Sequence, residues 1–500
     1  MDTKKLRQKI LDLAIRGKLV PQDPSDEPAS VLVEKIRAEK EQLIREKKIK
    51  RDKNESYIYR SDKSYYEKFA HATVKCIDEE IPFEIPESWE WCRLNMILSK
   101  LTDGTHHSPV NLPSGDFMYI TAKNIKFDGI SLKDITYVSK DIHKEIFSRC
   151  NPEKGDILYI KDGATTGVAT INSMSNPFSM LSSVALLKPM RYLNNHYLLG
   201  FLQSPICYNF TRNNMKGVGI TRVTLAQMSR WLIPIAPLQE QNRIVEKIDF
   251  AFALIGDIEA DKLDLIQFVK TTKSKILDLA IRGKLVPQDP NDEPASVLLE
   301  RIKAEQPESK KKAKNAGDNS HYQNLPFEIP ENWMWVRGYS CFNPMESTRP
   351  TEDSFIYIDI DAIDNKTHKV INPKTIKKQY APSRATRKIS TGDTLFSMVR
   401  PYLENIAFID CSLNNCIAST GFYVCKPNAL LFPIFCFNLM TSKYVINGLN
   451  SFMKGDNSPS INNENILNWL YPIPPFEEQI RITKTINSLY TMLDNITAEL

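Results

Sequence analysis

Residues 240–286 read EQNRIVEKIDFAFALIGDIEADKLDLIQFVKTTKSKILDLAIRGKLV, with apolar side chains at Ile244, Ile248, Ala251, Ile255, Ile258, Leu265, Val269, Ile276 and Leu279. The steps are of three and four, broken only at Lys262 and Thr272, which is the seam of a coiled-coil helix. Pro237 ahead of Gln239-Glu240-Gln241 marks its start. Gly283 and Pro287 mark its stop, because glycine suits a left-handed cap and proline cannot continue the ladder. At about 1.5 Å per residue such a rod is roughly 65 Å long.

Both ends of this stretch recur in the chain. Residues 9–39 (KILDLAIRGKLVPQDPSDEPASVLVEKIRAE) return at 275–305 with 27 of 31 positions identical, at an offset of 266. Residues 231–241 (WLIPIAPLQEQ) return as 469–479 (WLYPIPPFEEQ) at an offset of 238, followed by apolar positions Ile482, Ile486, Leu489, Leu493, Ile496 and Leu500. By these offsets Leu500 corresponds to Lys262 and Met1 to Gln267. The chain is therefore a two-fold repeat cut open inside one of its two rods. The termini are expected to meet, and the split rod to pack antiparallel on the intact one, since each has one apolar stripe to bury.

A second repeated signature opens the segments between the rods: IPFEIPESWEW at 81–91 and LPFEIPENWMW at 325–335. Its tryptophans are expected to be anchors, as large aromatics contribute most to burial. Two units of about 150 residues follow. Short β-type runs at 117–121, 156–160 and 355–358 and a helix at 195–202 mark them as α+β. The units match each other thinly, Gly155-Asp156-Ile157-Leu158-Tyr159 against Gly392-Asp393-Thr394-Leu395-Phe396, then Lys216-Gly217 against Lys454-Gly455. Near-identical rods holding dissimilar heads suit a device that reads two different things a fixed distance apart.

The expected class is α+β, two globular domains separated by a pair of long antiparallel coiled-coil helices in a pseudo-two-fold circular repeat. The segments are an N-terminal helical region at 1–80 that pairs with the C-terminus, a first head at 81–235, a helical spacer at 236–324, a second head at 325–473 and a C-terminal helix at 474–500. Net charge +5 over 500 residues permits an anionic partner without demanding one. Nine scattered cysteines without Cys-x-x-Cys suggest neither disulfides nor zinc and fit a reducing, cytoplasmic setting. No run of eighteen apolar residues suggests a membrane span, and the charged start MDTKKLRQK lacks a signal core.

Asp103-Gly104-Thr105-His106-His107-Ser108-Pro109, Ile120-Thr121-Ala122-Lys123-Asn124-Ile125, Gly155-Asp156-Ile157-Leu158 and Pro237-Leu238-Gln239-Glu240-Gln241 resemble the specificity subunit of type I restriction-modification enzymes. The resemblance spans essentially the whole chain, including the circular repeat. It implies two target-recognition domains that each read half of a split DNA sequence. It also implies paired helices that dock two modification subunits carrying an adenine methyltransferase, and recruitment of motor-nuclease restriction subunits. S-adenosylmethionine, ATP and magnesium are then expected on those partners and no cofactor in this chain. The second head departs from the pattern, for no Asp-Gly-Thr-His follows Trp335.

Phosphate contact calls for Lys, Arg and hydroxyls, and base reading favours Arg or Lys to guanine and Asn or Gln to adenine. The candidates in the first head are Thr105, His106, His107, Lys123, Asn124, Lys161, Lys216, Thr221 and Arg222. In the second head they are Arg384, Arg387, Arg400, Tyr402, Lys454 and Asn457. For each, a solvated or locally capped polar residue is the alternative. Metal binding by His106-His107 is not indicated. No phosphate-binding Gly-x-x-x-x-Gly-Lys-Ser/Thr is present, and Ile473-Pro474-Pro475-Phe476 lacks the Asn or Asp that opens an amino-methyltransferase motif, so no catalysis is expected. The rival expectations are a methyltransferase or nuclease with unrecognised motifs and a purely structural coiled-coil adaptor.

Overall fold

The computed structural model describes residues 2–52, 55–70, 73–215, 221–305, 325–410 and 415–498. Two compact units divide the chain, Met1–Ala260 and Asp261–Leu500. The long helix Leu238–Ile281 has 44 residues and contributes to both. It ends where its glycine requires. Gly283 sits at φ +67, its N–H donates to the Ala280 carbonyl, and the Lys284 N–H donates to Leu279. These two bonds form a Schellman cap. Gly17, at φ +65, ends the helix Thr3–Ile15 by the same pair of bonds, to Ala14 and Leu13.

Within the first unit, Thr3–Ile15 lies antiparallel to the first half of the long helix. Arg7 meets Glu259 at 3.0 Å near one end, and Leu11 and Ile248 meet over Gly200 further along. The turn after the helix then docks on the entry signature. Glu240, which is buried, accepts the Trp89 indole N–H at 2.9 Å and the Gln22 amide at 2.6 Å, and Arg243 pairs with Asp26 at 2.7 Å. Burial raises the Glu240 carboxyl above its usual range, against the pull of these donors.

The second unit builds the same joint from the other copies. Lys273 pairs with Asp494 and accepts the Tyr490 hydroxyl at its carbonyl, so Phe476–Ala498 runs antiparallel to the second half of the long helix. Glu478 accepts Trp333 at 2.9 Å and Gln288 at 2.7 Å, and Arg481 pairs with Asp292 at 2.5 Å. Gln241 and Gln479 are also fully buried, each donating to the carbonyl five residues back, Ala236 and Pro474. The repeated Glu-Gln is thus a lock between helix and head. Met1 and Leu500, on which the expected meeting of the termini turns, lie outside the described residues.

The heads are more alike than their sequences. Each is clasped at its root by an antiparallel pair of entry and exit strands, Glu90–Arg93 with Leu232–Ile235 and Met334–Arg337 with Leu470–Ile473. Each then carries a four-stranded sheet of one order: Ala169–Ile171, Ile157–Ile160, Val184–Pro189, Leu98–Asp103 in the first, and Ile406–Phe408, Thr394–Ser397, Phe422–Pro427, Phe342–Asn343 in the second. A further sheet also corresponds. Phe117–Ile120 pairs parallel with Ser179–Met180 and antiparallel with Thr136–Val138, as Ser354–Ile358 does with Cys416–Ser419 and Lys374–Lys377. Gly155 and Gly392, at φ +96 and +92, turn the chain into the central strand of each head. Asp156 and Asp393 hold that turn by accepting the N–H of Glu153 and Ser390 at 2.7 Å.

Two features differ from expectation. Between the helix Ala29–Arg45 and the entry signature stands an antiparallel sheet of Ser56–Ser61, Ser64–Phe69 and Val74–Cys76, tied to the entry strand by a buried Arg93–Glu67 ion pair at 2.6 Å. Its hairpin turns at Asp62 and Lys63, φ +51 and +74, the left-handed pair of a tight two-residue turn that Asn-Gly or Asp-Gly normally supplies. The coiled-coil seam also opens: Ile258 and Ile496, equivalent by the repeat, are 43% and 44% exposed. No helix among the described residues is long and apolar enough to cross a membrane.

Candidate nucleic-acid interface

In both heads one junction of loops follows the central strand. In the first, the Lys161 N–H donates to the Ser183 carbonyl, the Val223 N–H to Lys161, and the Gly163 N–H to Thr221. In the second, Met398 donates to Gly421, Ile461 to Met398, and Arg400 to Pro459. The bridge Asp162–Arg222 is matched by Val399–Ser460. The backbone frame is therefore shared while its side chains are not: Lys161-Asp162-Gly163 stand where the other head has Met398-Val399-Arg400.

The first junction gathers charge around a buried carboxylate. Asp103, at the end of the strand Leu98–Asp103, is met by Arg149, by Lys161 at 3.4 Å and by His106 Nε2 at 3.3 Å. Arg149 Nη2 also approaches His106 Nε2 at 3.1 Å. That nitrogen serves one neighbour at a time, accepting from Arg149 or, when protonated, donating to Asp103. Lys161 is buried and also reaches Asp162 at 3.2 Å. The acidic neighbour of His106 is thus engaged by cations, and no cluster of three or more His, Cys, Asp or Glu side chains placed to hold a metal stands among the described residues.

Of the other candidates in this head, Thr105 is half-buried and shapes its loop by accepting the His107 N–H at 3.3 Å, while His107, Thr221 and Arg222 are exposed. Lys216 lies outside the described residues. Lys123 is exposed on an open depression shared with Lys126, Phe127 and Thr165. Asn124 is buried, with its carbonyl accepting the Thr121 N–H at 3.0 Å and its amide donating to Ser131 at 3.1 Å. Its side chain is spent on holding the loop.

In the second head Arg400 takes φ +47 and donates through Nη2 to the Asn457 carbonyl at 2.9 Å, which joins its loop to the one carrying Lys454 and Asn457. Lys454 and Ser460 close that loop, and Tyr402 is exposed on the short turn Pro401–Leu403. Arg384 and Arg387 come from the strand Ala385–Lys388 and the residue before it. They reach the junction because Thr420, beside Gly421, donates to the Arg384 carbonyl at 2.9 Å. Arg384 is exposed, and Arg387 is half-buried with Nε lacking a partner among the described residues. Arg149 was not singled out by sequence, and Asp103 only as the residue that opens its motif. Arg149 is 43 residues from His106, and only the basic last turn of its helix hinted at it.

The family model of the type I restriction modification DNA specificity domain matches residues 86–267, from the first head into the long helix. The type I restriction enzyme EcoAI specificity subunit of Escherichia coli is 28% identical over 97% of this chain and 88% of its own length. Over nearly its whole length this chain is similar to type I restriction enzyme specificity subunits. A second relative, the type I restriction enzyme EcoEI specificity subunit of Escherichia coli, is 26% identical over 99% of this chain and 90% of its own length. The crystal structure of an HsdS subunit from Thermoanaerobacter tengcongensis is 39% identical over 34% of this chain and 45% of that one, with a TM-score of 0.33.

Proposed function

We propose that this chain is the non-catalytic subunit that gives a type I restriction-modification complex its DNA sequence specificity. Residues 81–235 and 325–473 each read one half of a bipartite target. The helical segments 1–80, 236–324 and 474–500 hold the heads and fix the unread base pairs between the halves. Two modification subunits dock on those helices and restriction subunits join them, in the cytoplasm, with S-adenosylmethionine, ATP and magnesium used by the partners. Phe250, Leu254 and Ile258, exposed at steps of four on the long helix, support a docking face there.

The carrying observation is the loop junction whose backbone bonds repeat between heads while its side chains differ. One frame with two sets of letters is what reading two unlike half-sites requires. Within it, His106, His107, Thr221, Arg222, Arg384, Arg400, Tyr402, Lys454 and Asn457 face solvent and are the proposed contacts, with Lys123 at the edge. The test is a genome-wide map of methylated adenine with and without this gene, together with DNA binding by the assembled complex across a salt series. A split motif that vanishes with the gene, and affinity that falls steeply with salt through counterion release, are expected. A motif independent of the gene, or a flat salt response, contradicts the proposal.

A further inference from the structure

We infer that Arg149 reads a guanine in the half-site of the first head and that Asp103 is the residue that positions it. The inference rests on the DNA-reading function proposed above and assigns one letter of the target to one side chain.

The helix Lys140–Arg149 is fixed from below. Buried His143 stacks on Phe117 at 3.9 Å with 11° between the rings, and its Nδ1 bonds the Ser179 hydroxyl at 3.0 Å. Arg149 closes the helix and sends its guanidinium to the loop junction. There the side chain is 51% exposed, while the Asp103 carboxylate that holds it is 3% exposed. Asp103 and His106 engage Nη2 alone, so Nη1 and Nε have no hydrogen-bond partner among the described residues. With one Nη2 N–H anchored on Asp103, and with His106 turned to Asp103, the second Nη2 N–H and the free Nη1 form a two-donor edge that has little ordering cost left when it meets the two acceptors, O6 and N7, of guanine.

The second head argues for base reading over a phosphate clamp. After the strand Lys374–Lys377, where the first head has the helix of Arg149 after Thr136–Val138, the second head builds the strand Ala385–Lys388 with Arg387 on it. Both heads place an arginine from this segment, on different scaffolds. A phosphate contact, needed alike by both halves, gives no reason for that exchange; a base contact does. Asp103 touches no base in this scheme and acts through Arg149.

The test uses the full chain co-expressed with its modification subunits and reads the methylated-adenine motif. Arg149→Ala and Arg149→Lys are expected to relax one G·C position of the half-site read by the first head by about tenfold or more, leaving the other half intact. Asp103→Asn is expected to relax the same position. Should Asp103→Asn fail to fold, Arg149→Lys decides alone, because lysine keeps the charge and loses the fork. An unchanged motif, an even loss of methylation with every letter retained, or a change in the other half overturns the inference. The function proposed above fails separately, through a wild-type motif that does not depend on this chain.

Discussion

The indole N–H of Trp89 donates to the Glu240 carboxylate at 2.9 Å although 151 residues separate them, and Trp333 repeats the bond with Glu478 at 2.9 Å. Each pair joins the mouth of a head to the root of a helix, so each is a test of the joint. Trp89→Phe keeps an aromatic side chain but loses the donor and part of the ring volume, which is expected to cost at least about 1–3 kcal/mol by leaving a buried acceptor short of a partner, with a cavity penalty added. Trp333→Phe is expected to match it, both read as a lowered thermal midpoint. Glu240→Gln keeps one acceptor oxygen, for Trp89, and turns its amide towards Gln22. Because burial raises the Glu240 carboxyl, its ionisation costs stability as pH rises past the ordinary glutamate range, so Glu240→Gln gains on wild type between pH 4 and pH 8.

Asp393 gives a second pH-dependent outcome. Burial pushes its carboxyl up from 3.8 to about 6, with Lys426 and the Ser390 N–H opposing. The folded state therefore binds the proton more tightly than the unfolded one, and this group's contribution to stability falls as pH rises from about 4 to about 6, then levels off. Asp393→Asn, which still accepts from Ser390, removes that slope. At pH 7.5 the variant is expected to be more stable by about 1–3 kcal/mol, at roughly 1.4 kcal/mol per pH unit. Denaturant unfolding at pH 5 and pH 7.5 checks it; a difference independent of pH contradicts it.

Gly17 and Gly283 are the third pair. Each needs a positive φ, and a Cβ on either would stand 2.4 or 2.3 Å from the Cγ of Pro86 or Pro330. Alanine at either position is expected to cost more than the 1–2 kcal/mol or so of a left-handed backbone alone, since the entry signature must also shift. Thermal unfolding of Gly17→Ala and Gly283→Ala measures this, and two wild-type midpoints would mean the turn and the signature are not in register as described.

The helices were legible because they rest on local chemistry and on repetition, whereas Trp89 and Trp333 were legible as anchors without their partners Glu240 and Glu478. The seam from Ile244 to Leu279 and the Arg282-Gly283 stop define Leu238–Ile281, and Asn195–Leu202 falls where its pattern put it. The sheet Ser56–Cys76 was missed because its turn, Asp62-Lys63, uses no glycine, although Tyr57, Tyr59 and the facing Tyr66 alternate as a strand should. The common topology of the heads was hidden because sheet order is fixed by pairing between distant segments, such as Ile157–Ile160 with Val184–Pro189, that leave no spacing to count. The candidate site was legible as loops. Its organisation was not, since Asp103, Arg149 and Lys161 meet only in three dimensions.

Exchanging residues 81–235 for the corresponding head of a family member with a different target, then mapping methylated adenine, tests the division of labour between heads most directly. One half of the split motif is expected to change to that of the donor, with the other half and the spacer between them retained. A motif that changes in both halves, or in neither, would contradict the account.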